Sequence, residues 1–183
     1  MNIHTKYNKG FTLIEMLITV AIVSILASIA LPSFSKLIER NRITTATNEL
    51  VSNLLLTKSE ALKRSNSVTL CPSTNQSTCS ENKDYSAGWI IYLDCGDIGK
   101  RVTTKIDDCG PNEKEDIIKV GDSLDAVNLE NNVRNHITFN YTGRPAGVST
   151  FSIGKSADAI TKTITINLVG RVKVKDAEVE EEE

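Results

Sequence analysis

Residues 11–31, FTLIEMLITVAIVSILASIAL, place a single charge, Glu15, among 21 positions. At about 1.5 Å of rise per residue, a helix of this length spans roughly 30 Å, the hydrocarbon thickness of a bilayer. Pro32 ends the run near the expected membrane exit, where a missing N–H favours a kink. Beyond it Ile43, Ala46, Leu50, Leu54, Ala61 and Leu62 recur at three-to-four spacing, and Val51 and Leu55 widen the stripe. Glu39, Arg40, Arg42, Asn48, Asn53 and Lys63 fall elsewhere around the same helix. The pattern predicts an amphipathic helix over 32–64 that continues the apolar one and packs one face on a domain.

The period changes at Ser65. Short runs rich in β-branched residues follow, at 68–71, 88–93, 116–120, 136–140, 148–153, 161–168 and 171–175, bounded by Gly, Pro, Asn and Asp. Several alternate strictly, so one face of each meets water. Seven short strands after a helix predict an antiparallel β domain packed on the amphipathic half, an α+β chain. Aromatic residues are 5% of the sequence, so the core is small and aliphatic.

Charge adds direction. The formal net charge is −2, from 21 bases and 23 acids. Six of those acids fall in the last eight residues, 176–183, leaving 21 bases against 17 acids, or +4, in the body. The tail, Glu178-Val-Glu-Glu-Glu-Glu183, reads as solvated. Lys6 and Lys9 precede the apolar run without an acid, so the short N-terminal stretch stays cytoplasmic and the rest is exported. A cleaved secretory signal and a plain signal anchor both compete for this segment, and Ala27-Ser-Ile-Ala30 is a tolerable cleavage site for the former. Glu15 disfavours both. A carboxylate at the membrane centre costs on the order of 2–3 kcal/mol, so an intramembrane acid implies a function and a partner.

Cys71, Cys79, Cys95 and Cys109 all lie in the exported part, an oxidising compartment on this reading. Three connectivities are open. Sequential pairing, Cys71–Cys79 and Cys95–Cys109, closes two short polar loops. The spacings do not suit zinc, which favours C-x₂₋₄-C pairs.

Catalytic groups are scarce. His136 stands in a strand pattern, and no Ser-His-Asp or Cys-His set can be assembled when the cysteines are paired. Cys95-Gly-Asp-Ile-Gly-Lys100 lacks the full phosphate-loop spacing and reads as a turn. Asp94, Asp97, Asp107 and Asp108 form no calcium ladder and read as loop acids. Neither an enzyme nor a cofactor is expected.

The terminal Leu168-Val-Gly-Arg171-Val-Lys-Val-Lys175 is different. In an extended strand Arg171, Lys173 and Lys175 point one way and Val172 and Val174 the other. Three cations about 6.5–7 Å apart match successive phosphates of an extended nucleic-acid strand. An edge strand guarded by Lys and Arg against aggregation accounts for the spacing equally well. Gly143-Arg144-Pro145 reads as a turn with an exposed Arg.

Two stretches carry a family likeness. Lys9-Gly-Phe-Thr-Leu-Ile-Glu15 resembles the class III signal of type IV prepilins. The resemblance implies a prepilin peptidase cutting between Gly10 and Phe11 on the cytoplasmic side. It also implies N-methylation of Phe11, and Glu15 as the acid that meets a neighbouring subunit's amine in assembly. Cys71-Pro-Ser with Cys79, Tyr85-Ser-Ala-Gly-Trp89, Ile137-Thr-Phe-Asn-Tyr-Thr-Gly-Arg144 and Gly170-Arg-Val-Lys173 are together similar to the GspH/FimT/FimU branch of type IV pilin-like proteins. That likeness implies a stalk helix from about 11 to 64 on an exported β domain, in the inner membrane and then a pilus. The stretch 1–10 would be leader, 11–31 transmembrane, 32–64 amphipathic, 65–175 β domain and 176–183 acidic tail. The implied partners are other pilins, the peptidase, inner-membrane lipid and DNA.

In the FimT group a C-terminal G-R-x-R element contacts DNA during natural transformation, which maps to Arg171 and Lys173. Lys175, Arg144, Lys155 and Lys162 are added here as candidate DNA contacts. Lys173 replaces the second Arg of that element and loses its planar fork. A priming minor pilin without DNA binding and a type II secretion pseudopilin are the competing roles within the same branch.

Overall fold

The computed structural model describes residues 10–96, 99, 116–156 and 159–177. Cys109, the acids at 97, 107 and 108, the leader at 1–9 and the tail at 178–183 lie outside them. The chain divides into one unit ending at Arg40 and a second beginning at Asn41.

The first unit holds the N-terminal part of a helix, α1, Leu13–Arg64. Thr12 caps it: its Oγ1 accepts the N–H of Glu15 at 3.3 Å, and Glu15 supplies the acid in the first turn. This is the T-x-x-E signature of a helix start, with a carboxylate at the positive end of the helix dipole. The helix runs on through position 32. Its most apolar 18-residue window has a mean hydropathy of 2.4 and none of it is buried, so this surface awaits a lipid or protein environment.

In the second unit α1 has one face inside. Ile43, Ala46, Leu50, Leu54 and Ala61 are buried in one core with residues of every strand from β1 to β7 except β3. The strands are β1 Val68–Pro72, β2 Trp89–Leu93, β3 Ile117–Gly121, β4 Asn128–Asn131, β5 Ile137–Phe139, β6 Ser149–Gly154, β7 Ile160–Ile166 and β8 Val172–Asp176. They pair antiparallel in two four-stranded sheets, β3-β2-β1-β5 and β4-β6-β7-β8. The α+β class is therefore as expected from the sequence, with β4 as an additional strand.

The buried face of α1 corrects the sequence reading in two respects. Leu55 and Leu62 are exposed, whereas Asn53, expected away from the core, is fully buried, as are Thr47 and Thr57. Thr47 Oγ1 and Thr57 Oγ1 donate to the carbonyls of Ile43 and Asn53, each at 2.7 Å, which lets hydroxyls sit in an apolar face. The helix stops at Arg64, before Ser65, whose φ of 52° is left-handed, with Asn66 N–H donating to the Ala61 carbonyl at 3.3 Å. Lys63 and Arg64 complement the negative end.

The first sheet is covered on both sides. Val68, Leu70, Trp89, Ile91 and Leu93 face the main core, while Cys71, Ile90 and Tyr92 form a second cluster with Cys79 and Ile117. Cys71 and Cys79 are bridged, with Cα atoms 5.6 Å apart, so the disulfide closes the loop after β1 over this second cluster. Cys95 is disulfide-bonded as well.

Candidate nucleic-acid interface on the last hairpin

β8 is the edge of the second sheet and pairs only with β7. Alternation splits the hairpin into two faces. Ile164 and Ile166 of β7 are buried in the core with Val172 of β8 packed against it. On the opposite face Thr163 stands across from Lys175 and Thr165 across from Lys173. Asn167 and Arg171 form the third rung, where Asn167 N–H donates to the Arg171 carbonyl at 3.2 Å. These six residues line an open concavity of about 510 Å³. Each rung sets a hydroxyl or amide beside a cation, the combination that satisfies a phosphate with one charged and one neutral donor. Among the described residues no carboxylate pairs with Arg171, Lys173 or Lys175.

Arg144 reaches the same end of the sheet through a duplicated loop. Asn140-Tyr-Thr-Gly-Arg144 and Asn167-Leu-Val-Gly-Arg171 share the pattern N-x-x-G-R. In the first, Asn140 Oδ1 accepts the N–H of Thr142 and of Arg144, both at 3.0 Å. In the second, Asn167 Oδ1 accepts those of Val169 and Arg171 at 3.2 and 2.9 Å. Gly143 and Gly170 take φ values of 73° and 72°, a left-handed conformation that glycine adopts without strain. The loops abut, since a Cβ on Gly170 would fall 2.5 Å from the Gly143 carbonyl oxygen. Lys58 of α1 braces them, its Nζ donating to the Gly170 carbonyl at 3.0 Å.

Two expected cations are not on this face. Lys162 shares the side of Ile164 and Ile166, and its Nζ lies 2.5 Å from Asp176 Oδ1, so its charge is already met. The parity of β7 turns it away from Lys173 and Lys175. Lys155 follows β6 next to Gly154, which pairs with Ile160 at the far end of β7 from Arg171. The partners of the cations, Thr163, Thr165 and Asn167, carried no signal in the sequence until the β7–β8 register was known.

His136 precedes β5 half-buried, its Nδ1 2.9 Å from Asn135 Oδ1 and its ring beneath Gly99, where a Cβ would come within 2.5 Å. Burial first and the neighbouring Arg134 second hold its pKa below the usual 6.5. The geometry is that of a packing residue. Among the described residues no group of three or more His, Cys, Asp or Glu is arranged to hold a metal.

At the other end of the chain, Gly10 and Phe11 are exposed and precede the first helical residue. Comparison with known proteins bears on both ends. The model of the family described as Type II transport protein GspH matches residues 46–170. The chain belongs to the GspH family. A prokaryotic N-terminal methylation motif also matches, over residues 5–31.

Among individual proteins, a fimbrial protein of Pseudomonas aeruginosa is 49% identical over 45 residues, 25% of this chain and 29% of its own length. A type IV major alpha-pilin of Moraxella bovis is 48% identical over 44 residues, 24% of this chain and 28% of its own. The GspH-family chain thus spans less than a third of these pilins' length. The type IV minor pilin FimU of P. aeruginosa superposes with a TM-score of 0.55 at 18% identity, covering 75% of this chain and 90% of FimU. That likeness shows a shared pilin fold.

Proposed function

We propose that this GspH-family chain is a minor subunit of a type IV pilus whose last hairpin binds DNA without sequence preference during natural transformation. The observation that carries the proposal is the three-rung ladder of Thr163/Lys175, Thr165/Lys173 and Asn167/Arg171. Edge protection accounts for the cations of β8 but not for the open concavity they line together with Thr163, Thr165 and Asn167. Arg144 extends the contact from the adjoining loop. Backbone phosphates are the partner, so register along the DNA carries no sequence information.

Delivery to the filament follows from the other end. A prepilin peptidase cuts the exposed Gly10–Phe11 bond on the cytoplasmic side of the inner membrane, and the new amine of Phe11 is methylated. Residues 11–31 hold the subunit in the membrane with the β domain in the periplasm until assembly. Glu15 does two things in this account. It sits in the first turn of α1, where the dipole favours its charge, and it receives the N-terminal amine of a neighbouring pilin.

A second reading, a pseudopilin of type II secretion, is favoured by the description of the family itself. A deletion strain scored in parallel for pili, transformation and secretion separates the two. The proposal predicts loss of transformation with pili and secretion retained, and no rescue by Arg171→Ala/Lys173→Ala. A secretion defect, or rescue by the double variant, contradicts it.

A further inference from the structure

The ladder accounts for charge and leaves a second feature of the same end unexplained. Tyr141, Leu168 and Val169 are 63, 64 and 60% exposed, the three most exposed large apolar side chains in the described part of the second unit. All three occupy the two middle positions of the twin N-x-x-G-R loops, immediately before the glycine or one residue earlier. Among the described residues of the β domain, the most solvent-exposed apolar groups therefore sit three residues or fewer before Arg144 and Arg171, both exposed.

These tips are held firmly. In each loop the asparagine carboxamide ties down two backbone N–H groups, and the glycine N–H donates back to the asparagine carbonyl at 2.8 Å. The glycines brace each other, and Lys58 ties the second loop to α1. Apolar side chains on a rigid, exposed turn mark a contact surface, because ordering them costs little on binding.

The ligand has to offer apolar flat surface and regularly spaced anions together. A lipid headgroup gives anions but no flat face, and a protein partner would need acids matched to four exposed cations. Duplex DNA stacks its base faces out of reach and shows a protein only phosphates and groove edges. A single strand splays its bases, and aromatic side chains beside a cationic groove are the usual platform for them.

We propose that the twin loop tips contact bases, Tyr141 by stacking and Leu168 and Val169 by apolar contact, so that this face prefers single-stranded DNA. Phosphates run along the Arg171–Lys173–Lys175 line, about 6.5–7 Å per step, while the first unstacked bases fall on the tips. This inference rests on the DNA-binding reading above and adds the form of DNA recognised.

The test is fluorescence anisotropy of the full-length chain in non-ionic detergent at about 50 mM salt, with labelled oligothymidine and a blunt duplex as probes. The inference predicts that oligothymidine binds about tenfold more tightly than duplex, and that Tyr141→Ala removes that margin while changing duplex binding less than about twofold. Tyr141→Phe keeps the ring and should keep the margin. Equal affinity for both probes, or a margin that survives Tyr141→Ala together with Leu168→Ser/Val169→Ser, overturns the inference and leaves DNA binding standing. Failure of the wild-type chain to bind either probe overturns both.

Discussion

The two sheets of this domain solve opposite problems. Every residue of β1 and β2 is buried, because α1 covers one face and the disulfide-closed loop and Ile117 cover the other. At the edge of the second sheet four of the five residues of β8 are exposed. A strand covered on both faces contributes to stability and has no group left for a ligand. A strand covered on one face can vary its outer residues at little cost to the fold, and here all of the outer residues from Arg171 to Lys175 are cations. On the proposed DNA-binding reading, stability and binding are carried by different strands and should respond to mutation separately.

The sharpest way to break that separation is in the first sheet. Trp89 is fully buried and lies flat on Gly121, where even a Cβ would collide with its ring. Trp89→Ala should cost about 3–5 kcal/mol in chemical denaturation. It should weaken DNA binding only in proportion to the unfolded fraction. Cys71→Ser opens a loop with a sequence separation of 8 and should cost roughly 2–3 kcal/mol, read as a lower melting temperature without reductant. Both losses should be absent from the edge strand: Lys173→Ala should change stability by less than about 0.5 kcal/mol while reducing the salt slope of DNA binding by about one.

A smaller effect comes from His136. Its pKa is held below 6.5 in the folded chain, so below that pH the unfolded chain takes up a proton that the folded chain resists. Stability contributed above pH 6.5 is therefore lost as the pH falls toward the folded-state value. Melting temperatures measured from pH 7.5 down to about 5 should fall less in His136→Gln than in wild type.

The sequence made the contrast between the sheets readable where periodicity was clean. Strict alternation in Arg171-Val-Lys-Val-Lys175 placed three cations on one side, and the structure puts them there. Alternation could not say which side of β7 they would adjoin, and so Lys162, one strand away, was expected among them. Its parity with Ile164 and its ion pair with Asp176 place it on the other face. β4, Asn128-Leu-Glu-Asn131, has one apolar residue and the composition of a turn; it is a strand because β6 offers it a partner. On α1, counting apolar residues alone favoured Leu55 and Leu62 over Asn53 and Thr57. The buried face follows geometry, and threonines that bond to their own helix are admitted to it.

Glu15 shows a sequence signal with two physical causes. Its position after Thr12 completes a helix-start pattern, which explains an acid in the first turn without a partner. A cap alone does not explain why that acid lies within an apolar segment of membrane-spanning length. Glu15→Gln preserves the polar cap and removes the charge, so incorporation into filaments should fall at least about tenfold if the charge meets a neighbour's amine, and stay unchanged if the cap is its whole role.

The proposed line of phosphate contacts on the edge hairpin is measured directly by counterion release. Affinity for duplex DNA, followed from about 50 to 200 mM salt, should fall with a log–log slope near −3, as expected for three or four neutralised phosphates. Arg171→Ala/Lys173→Ala should flatten that slope by nearly two. A wild-type affinity insensitive to salt, or a double variant with the same slope as wild type, would contradict the assignment.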